Sequence, residues 1–192
     1  MSDEHIDQKY SRVTNILYPF SGLRDVNIEI LQNAADRGTR VHKACEAIID
    51  GLGYWGVDED IQGYIHSFEL WWGDGYEVIE MEKRFFCDDL LITGQADLIL
   101  KNPSGGCYIV DIKTPQREGK TWPLQGSAYA YLARRHGHDI REIMFVRLDR
   151  YGGTPELYKY KEDFGLFLKV LDIYNLFFKR KKNGIADCPD FL

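Results

Sequence analysis

With 192 residues, 44% of them apolar and 28% charged, the chain is long enough to bury a full core, short for two independent domains, and well outside the disordered and collagen-like classes. A formal net charge of −6 argues against a uniformly basic nucleic-acid-coating protein; it leaves room for a local basic groove, and acids gathered to hold metal would themselves lower the total. No apolar run approaches the roughly 20 residues needed to cross a bilayer, and Met1-Ser2-Asp3-Glu4-His5 lacks the basic-then-apolar order of a signal peptide, so a soluble, cytoplasmic protein without a membrane partner is expected.

Along the chain, Ser11 to Leu17 is a short semi-apolar segment ended by Pro19 and Gly22, expected to dock the N-terminus. From Val26 to about Gly51 the period is helical, with a break expected near Asp36-Arg37-Gly38 and a second helix carrying Val41, Ala44, Cys45 and Ile48 on its apolar face. Ile61, Ile65, Phe68 and Trp72 recur at helical spacing between Asp58 and Trp72. The period then changes. Tyr76 to Cys87, Leu90 to Leu100 and Gly106 to Lys113 are rich in β-branched and aromatic residues and are separated by Asp88-Asp89 and Asn102-Pro103-Ser104-Gly105-Gly106, which predicts an antiparallel meander. A helix from about Trp122 to His136, strands at Glu142 to Leu148 and Leu157 to Tyr160, and a long C-terminal helix follow; Lys179 to Lys182 with Asn183-Gly184 read as the basic, capped end of that helix. With no repeat or linker, this is one α/β unit over residues 1–192, mainly helical over 1–75, with a central mixed β-sheet flanked by helices over 76–192. Cys45, Cys87, Cys107 and Cys188 are scattered without metal-site spacing and are expected to be reduced thiols.

Chemistry concentrates at the ends of two predicted strands. Strict alternation places Gln95, Asp97 and Ile99 on one face, with Ala96, Leu98 and Leu100 on the other; in the next strand Ile109, Asp111 and Lys113 share a face. An acid and a base two residues apart at the end of an apolar strand are costly unless function or pairing holds them there. A hairpin would bring Asp97 near Asp111, and two carboxylates plus a backbone carbonyl suit Mg²⁺, a hard cation that takes its remaining ligands from water and phosphate oxygens. Lys113 would then orient an attacking water or neutralise charge on the phosphorus, with an electrostatic role preferred to that of a free base. By themselves these residues are also consistent with a strand-end Asp-Lys ion pair beside an unrelated Asp97.

Gly94-Gln95-Ala96-Asp97, then Asp111-Ile112-Lys113-Thr114, then Gln125-x-x-x-Tyr129 resemble the RecB-like branch of the PD-(D/E)XK nuclease superfamily in order and spacing. Upstream, Arg37-Gly38-Thr39-x-x-His42-x-x-x-Glu46 resembles the helix that supplies this branch's histidine. Arg12-Val13-Thr14-x-x-Leu17 resembles a signature of phage exonucleases and of a mitochondrial genome-maintenance exonuclease. The resemblance runs from residue 12 to residue 129. It implies a restriction-endonuclease-like core in which His42, Glu82, Asp97, Asp111 and the Ile112 carbonyl bind Mg²⁺, or Mn²⁺ in its place. Lys113 would be the catalytic lysine, and Gln125 and Tyr129 would line the cleft. Glu80 shares a face with Glu82 and competes for its role; His42 has a packing alternative, and Gln125 and Tyr129 are also consistent with ordinary helix-surface polarity. Thr114, Arg117 and Lys120 follow the catalytic strand and would meet backbone phosphates, although a solvated loop also explains the two cations.

Ala96 replaces the superfamily's proline, and no cysteine cluster or Walker-type loop is present. The function expected is a metal-dependent DNA exonuclease of phage or bacterial recombination, repair or processing, acting on single strands or duplex ends through a metal-activated water, with a recombination or single-strand-binding protein as a possible partner. A structure-specific or restriction-type endonuclease, or a silent nucleic-acid-binding protein on the same scaffold, are the alternatives, and nothing in the sequence specifies an oligomeric interface.

Overall fold

The computed structural model describes residues 9–53, 58–73, 76–101 and 105–179. Six strands form one mixed sheet: β1 (Ser11–Arg12), β2 (Glu77–Cys87), β3 (Ile92–Lys101), β4 (Cys107–Lys113), β5 (Ile140–Arg147) and β6 (Glu156–Tyr160). The helices are α1 (Val13–Leu17), which continues into a 3₁₀ turn at Tyr18–Phe20, then α2 (Ile28–Ile49), α3 (Glu59–Trp71), α4 (Trp122–Arg135) and α5 (Phe164–Phe177). The predicted meander is present, with β2 and β4 both antiparallel to β3. The connection through α4 makes β5 parallel to β4, and β6 then returns antiparallel.

The sheet separates two apolar layers. On one face α1, α4 and α5 bring Ile16, Leu132 and Phe167 onto Phe85, Ile99, Ile109 and Phe145. On the other, α2 and α3 bring Val41, Ile61 and Phe68 onto Leu98, Val110, Ile112 and Val146. Fully burying side chains of this size is worth about 1.5–3 kcal/mol each, so the helices are held mainly by the faces the 3.6-residue period exposed in the sequence.

Three local expectations are corrected. The first is the break in α2, which runs unbroken through Asp36-Arg37-Gly38. One internal glycine costs only about 1 kcal/mol relative to alanine, and the turn is braced: Arg40 bonds Asp36 one turn back, then Asp58 and Asp60 at the start of α3. The second is the C-terminal helix, which ends at Phe177; most of Lys179 to Lys182 and all of Asn183-Gly184 lie outside the described residues.

The third concerns the faces of β2 and β3. Ala96 and Ile99, three apart, pack in the same apolar layer, while Leu98 packs in the opposite one; likewise Met81 and Phe85, four apart, lie in opposite layers. Both strands therefore change face in between. The cause is visible at Glu82, whose φ of 49° is the left-handed region and whose register position is opposite Asp97, between the pairs Met81 with Leu98 and Lys83 with Ala96. A kink of this kind re-aims side chains at the cost of local strain.

Two glycines set how closely α4 approaches the sheet. A Cβ on Gly126 would lie 2.3 Å from Ile143 Cγ2, and one on Gly94 would lie 2.7 Å from the Tyr129 ring. Gly126→Ala is expected to lower stability by about 1–3 kcal/mol in urea denaturation, the usual cost of overpacking a core; an unchanged midpoint would show that α4 can move away freely.

Candidate active site

The site begins where β3 loses a neighbour. β2 accompanies β3 along one edge from Ile92 to Lys101. On the other edge β4 pairs it only from Leu98 to Lys101, and β1 only at Ile92–Thr93. Between those pairings β3 and β4 part. The Asp97 carboxylate replaces the missing rung, its Oδ2 accepting the Ile112 amide at 2.6 Å. Ile112 N–H thereby keeps the partner that a buried amide requires, and a charge is fixed in the fork, with Asp97 and Asp111 8% and 2% exposed.

From α2, His42 closes the fork on one side. Its Nε2 lies 3.1 Å from the Ile112 carbonyl oxygen, and its Nδ1 lies 3.5 Å from Asp97 Oδ1 and 3.7 Å from Glu82 Oε1. Burial by itself would push the imidazole pKa down, but the Asp97 charge and the Glu82 contact outweigh it and carry it up to about 9. Burial first, then the neighbouring Asp111 charge, push the Asp97 carboxyl upward. Glu82 is the acid that reaches this cluster; Glu80 points to Lys83 and His138 instead.

Two residues without an assigned role in the sequence hold Glu82 in place. Gln95 Nε2 donates to Glu82 Oε2 at 2.6 Å, and Arg84 donates to Gln95 Oε1 at 3.1 Å. A third, Glu46, lines the small cavity of about 10 Å³ beside His42, Glu82 and Asp97, and burial and the Glu82 charge raise its carboxyl pKa. Its i,i+4 spacing from His42 was the available signal.

Asp111 is approached from α4. Gln125 Nε2 donates to Asp111 Oδ1 at 3.1 Å and to the Tyr129 hydroxyl at 3.1 Å, which sets the amide orientation. Burial and the Asp111 charge hold the Tyr129 phenol far above its ordinary pKa, so it stays protonated. Lys113 Nζ lies 2.7 Å from Asp111 Oδ2 and 5.4 Å from the centre of the Phe145 ring. Asp111 Oδ2 is buried and makes this ion pair without a hydrogen bond. Thr114 is buried next to Gly38 of α2, whereas Arg117 and Lys120 are exposed on the following loop and are not brought into the cluster.

A sequence model described as the PD-(D/E)XK nuclease superfamily matches residues 62–163, just over half the chain. The chain belongs to the PD-(D/E)XK nuclease superfamily. The matched span contains Glu82, Asp97, Asp111, Lys113, Gln125 and Tyr129, while His42 precedes it. No curated protein matches the chain. Among solved structures, one described as a candidate exonuclease from Eubacterium rectale aligns over 97% of this chain and 86% of that one, with 10% identity and a TM-score of 0.51. Another, SSO0001, aligns over 99% and 92%, with 16% identity and a TM-score of 0.46. The likeness to the former is one of fold alone. The six-stranded mixed sheet between helical layers is the restriction-endonuclease-like α/β fold of this superfamily.

Superfamily nucleases use divalent metal ions, and the donor set fits one. A ligand atom from each of His42, Glu82 and Asp97 lies within 4.8 Å of the others, and Asp111 Oδ2 adds a buried oxygen lacking a hydrogen bond. The Asp111 and Glu82 charges add to burial in raising the proton affinity of Asp97, a penalty that a shared cation would relieve. Protons on Asp97 and His42 occupy the atoms that a cation needs, so loss of those protons favours the cation. Affinity for Mn²⁺, measured by calorimetric titration from pH 6 to pH 9, is therefore expected to rise with pH; a flat profile would separate the cation site from these two groups.

Proposed function

We propose that this superfamily member is a Mg²⁺-dependent deoxyribonuclease that hydrolyses phosphodiester bonds and degrades DNA from its ends, serving recombination, repair or processing of phage or bacterial DNA in the cytoplasm. The observation that carries the reading is the Lys113 ammonium 2.7 Å from Asp111 in the same fork that gathers Asp97, His42 and Glu82. A lysine held on a carboxylate, beside further carboxylates able to share a cation, suits a reaction that builds negative charge on phosphorus.

Asp97 and Asp111, with Glu82, His42 and the Ile112 carbonyl, would hold the cation, which supplies Lewis-acid charge at the phosphate and a more acidic water. Mostly oxygen donors favour Mg²⁺, and the one imidazole makes Mn²⁺ an acceptable substitute. Lys113 presents a fixed positive charge to the phosphate oxygens. Burial among aromatic rings strengthens that charge's field. Gln125 fixes the orientation of Asp111, and the protonated Tyr129 hydroxyl gives the cleft a donor beside it. Thr114, Arg117 and Lys120, next in the chain, supply phosphate contacts. Support for the exonuclease part comes from the resemblance to phage exonucleases and from the name of the Eubacterium rectale neighbour. Among the described residues, no helix is long and apolar enough to cross a membrane.

End-labelled linear DNA should lose nucleotides in the presence of Mg²⁺ and be spared by a chelator, while covalently closed circles stay intact. Nicking of the circles would replace the exonuclease reading by an endonuclease. Lys113→Ala is expected to slow cleavage on the order of 10²–10³-fold, as loss of one charge-stabilising donor does elsewhere, with folding preserved by circular dichroism; near wild-type rates would remove Lys113 from the reaction.

A further inference from the structure

β4 and β5 run parallel, and beyond their C-terminal ends lies an open cleft of about 210 Å³ lined by Tyr64, Thr114, Gln116, Arg147, Arg150 and Tyr151, among others. It adjoins the catalytic fork through the chain itself: Thr114 follows Lys113, and Leu148 N donates to the Lys113 carbonyl at 2.8 Å. One wall is the loop 148–155 between β5 and β6, which carries Arg150 and Tyr151. Tyr151 is 83% exposed, and Arg150 lies 5.0 Å from its ring centre. Among the described residues no acid pairs with Arg150.

An exposed aromatic on a floppy loop would mean little, but this loop is pinned. Asp149 accepts the Tyr151 amide at 3.2 Å and the Gly153 amide at 2.9 Å, while its own amide donates to Ser67 Oγ of α3 at 2.9 Å. Gly63 of α3 lets the loop lie directly on the helix, since a Cβ there would sit 1.9 Å from the Arg150 carbonyl oxygen. On the opposite side Arg147 donates to the Gln116 carbonyl at 2.9 Å and pairs with Glu156, so it braces the wall. Tyr64 of α3 forms the far wall, with Arg37 of α2 over its ring at 5.9 Å. A preorganised aromatic face with an adjacent cation free of acidic partners is what an unpaired nucleotide requires: base on ring, phosphate on guanidinium.

We infer that the cleft between loop 148–155 and Tyr64 is a single-strand DNA subsite, in which Tyr151 stacks on an unpaired base next to the scissile phosphate and Arg150 holds its backbone. The inference rests on the nuclease reading and sharpens it, because a stacked base must have left its duplex. The substrate at the site is then a single strand or a frayed end.

The test is fluorescence anisotropy of a labelled single-stranded oligonucleotide with Ca²⁺ present, on wild type, Tyr151→Ala, Tyr151→Phe and Arg150→Gln, alongside Mg²⁺-driven cleavage by each. Tyr151→Ala should weaken binding about tenfold or more and raise KM, and Tyr151→Phe should bind as wild type, since stacking needs the ring alone. Arg150→Gln should lower the slope of log K against log salt by about 0.7, the share of one single-strand phosphate. Binding unchanged in Tyr151→Ala by an enzyme that cleaves DNA would overturn the subsite while leaving the nuclease standing. Tyr151-dependent binding without cleavage by any variant would do the reverse, and no binding of single strands by wild type would overturn the subsite outright.

Discussion

The bond from the Ile112 amide to the Asp97 carboxylate is the contact around which the site is organised. Two antiparallel strands that stop pairing inside a protein leave a backbone donor without a partner, and a buried amide in that condition costs about 1–3 kcal/mol. Here a side chain takes the place of the lost rung. The carboxylate that does so is confined by the amide on one oxygen and by His42 near the other. The separation of the strands thus opens the fork, satisfies it and charges it with one interaction. The same separation frees β3 between Thr93 and Leu98 to meet Tyr129 across Gly94.

The cluster held in this fork is locally unfavourable and globally well supported. Burial, then the Asp111 and Glu82 charges, raise the proton affinity of Asp97, and His42 is drawn toward its charged form by Asp97 and Glu82. The supports lie one step further out: Arg84 on Gln95 on Glu82, Gln125 on Asp111, and the packed faces of α2 and α4. A cluster of buried carboxylates needs neighbours that hold its oxygens in place without neutralising them. Lys113 places its ammonium on Asp111, at the edge nearest the cleft.

The two helical layers have unequal duties. α4 approaches the sheet closely because Gly94 and Gly126 leave room, and it delivers Gln125 and Tyr129. α2 and α3 deliver His42 and then, through Arg40 and its three aspartates, fix the platform on which loop 148–155 rests. The open end of the parallel pair β4 and β5 therefore acquires a rigid wall, which is where ligands gather in open α/β sheets generally.

Much of this was determined by the sequence alone. The period of two in β2 to β4, the helical stripes and the order Asp97, Asp111, Lys113, Gln125, Tyr129 specify a helix-flanked mixed sheet with acids at strand ends, because burial must follow periodicity. That Glu82 and not Glu80 reaches His42 was decided only in three dimensions, by the left-handed residue at position 82, where alternation fails and both strands change face. The continuity of α2 through Gly38 was likewise settled by Arg40 bridging to residues of α3 roughly twenty positions away. The roles of Gln95, Arg84 and Glu46, and the placement of Tyr151 beside the fork, depend on contacts between distant segments. Local patterns carry the energetics of faces and turns, whereas a side chain's neighbours across the fold are fixed only when the whole core has packed.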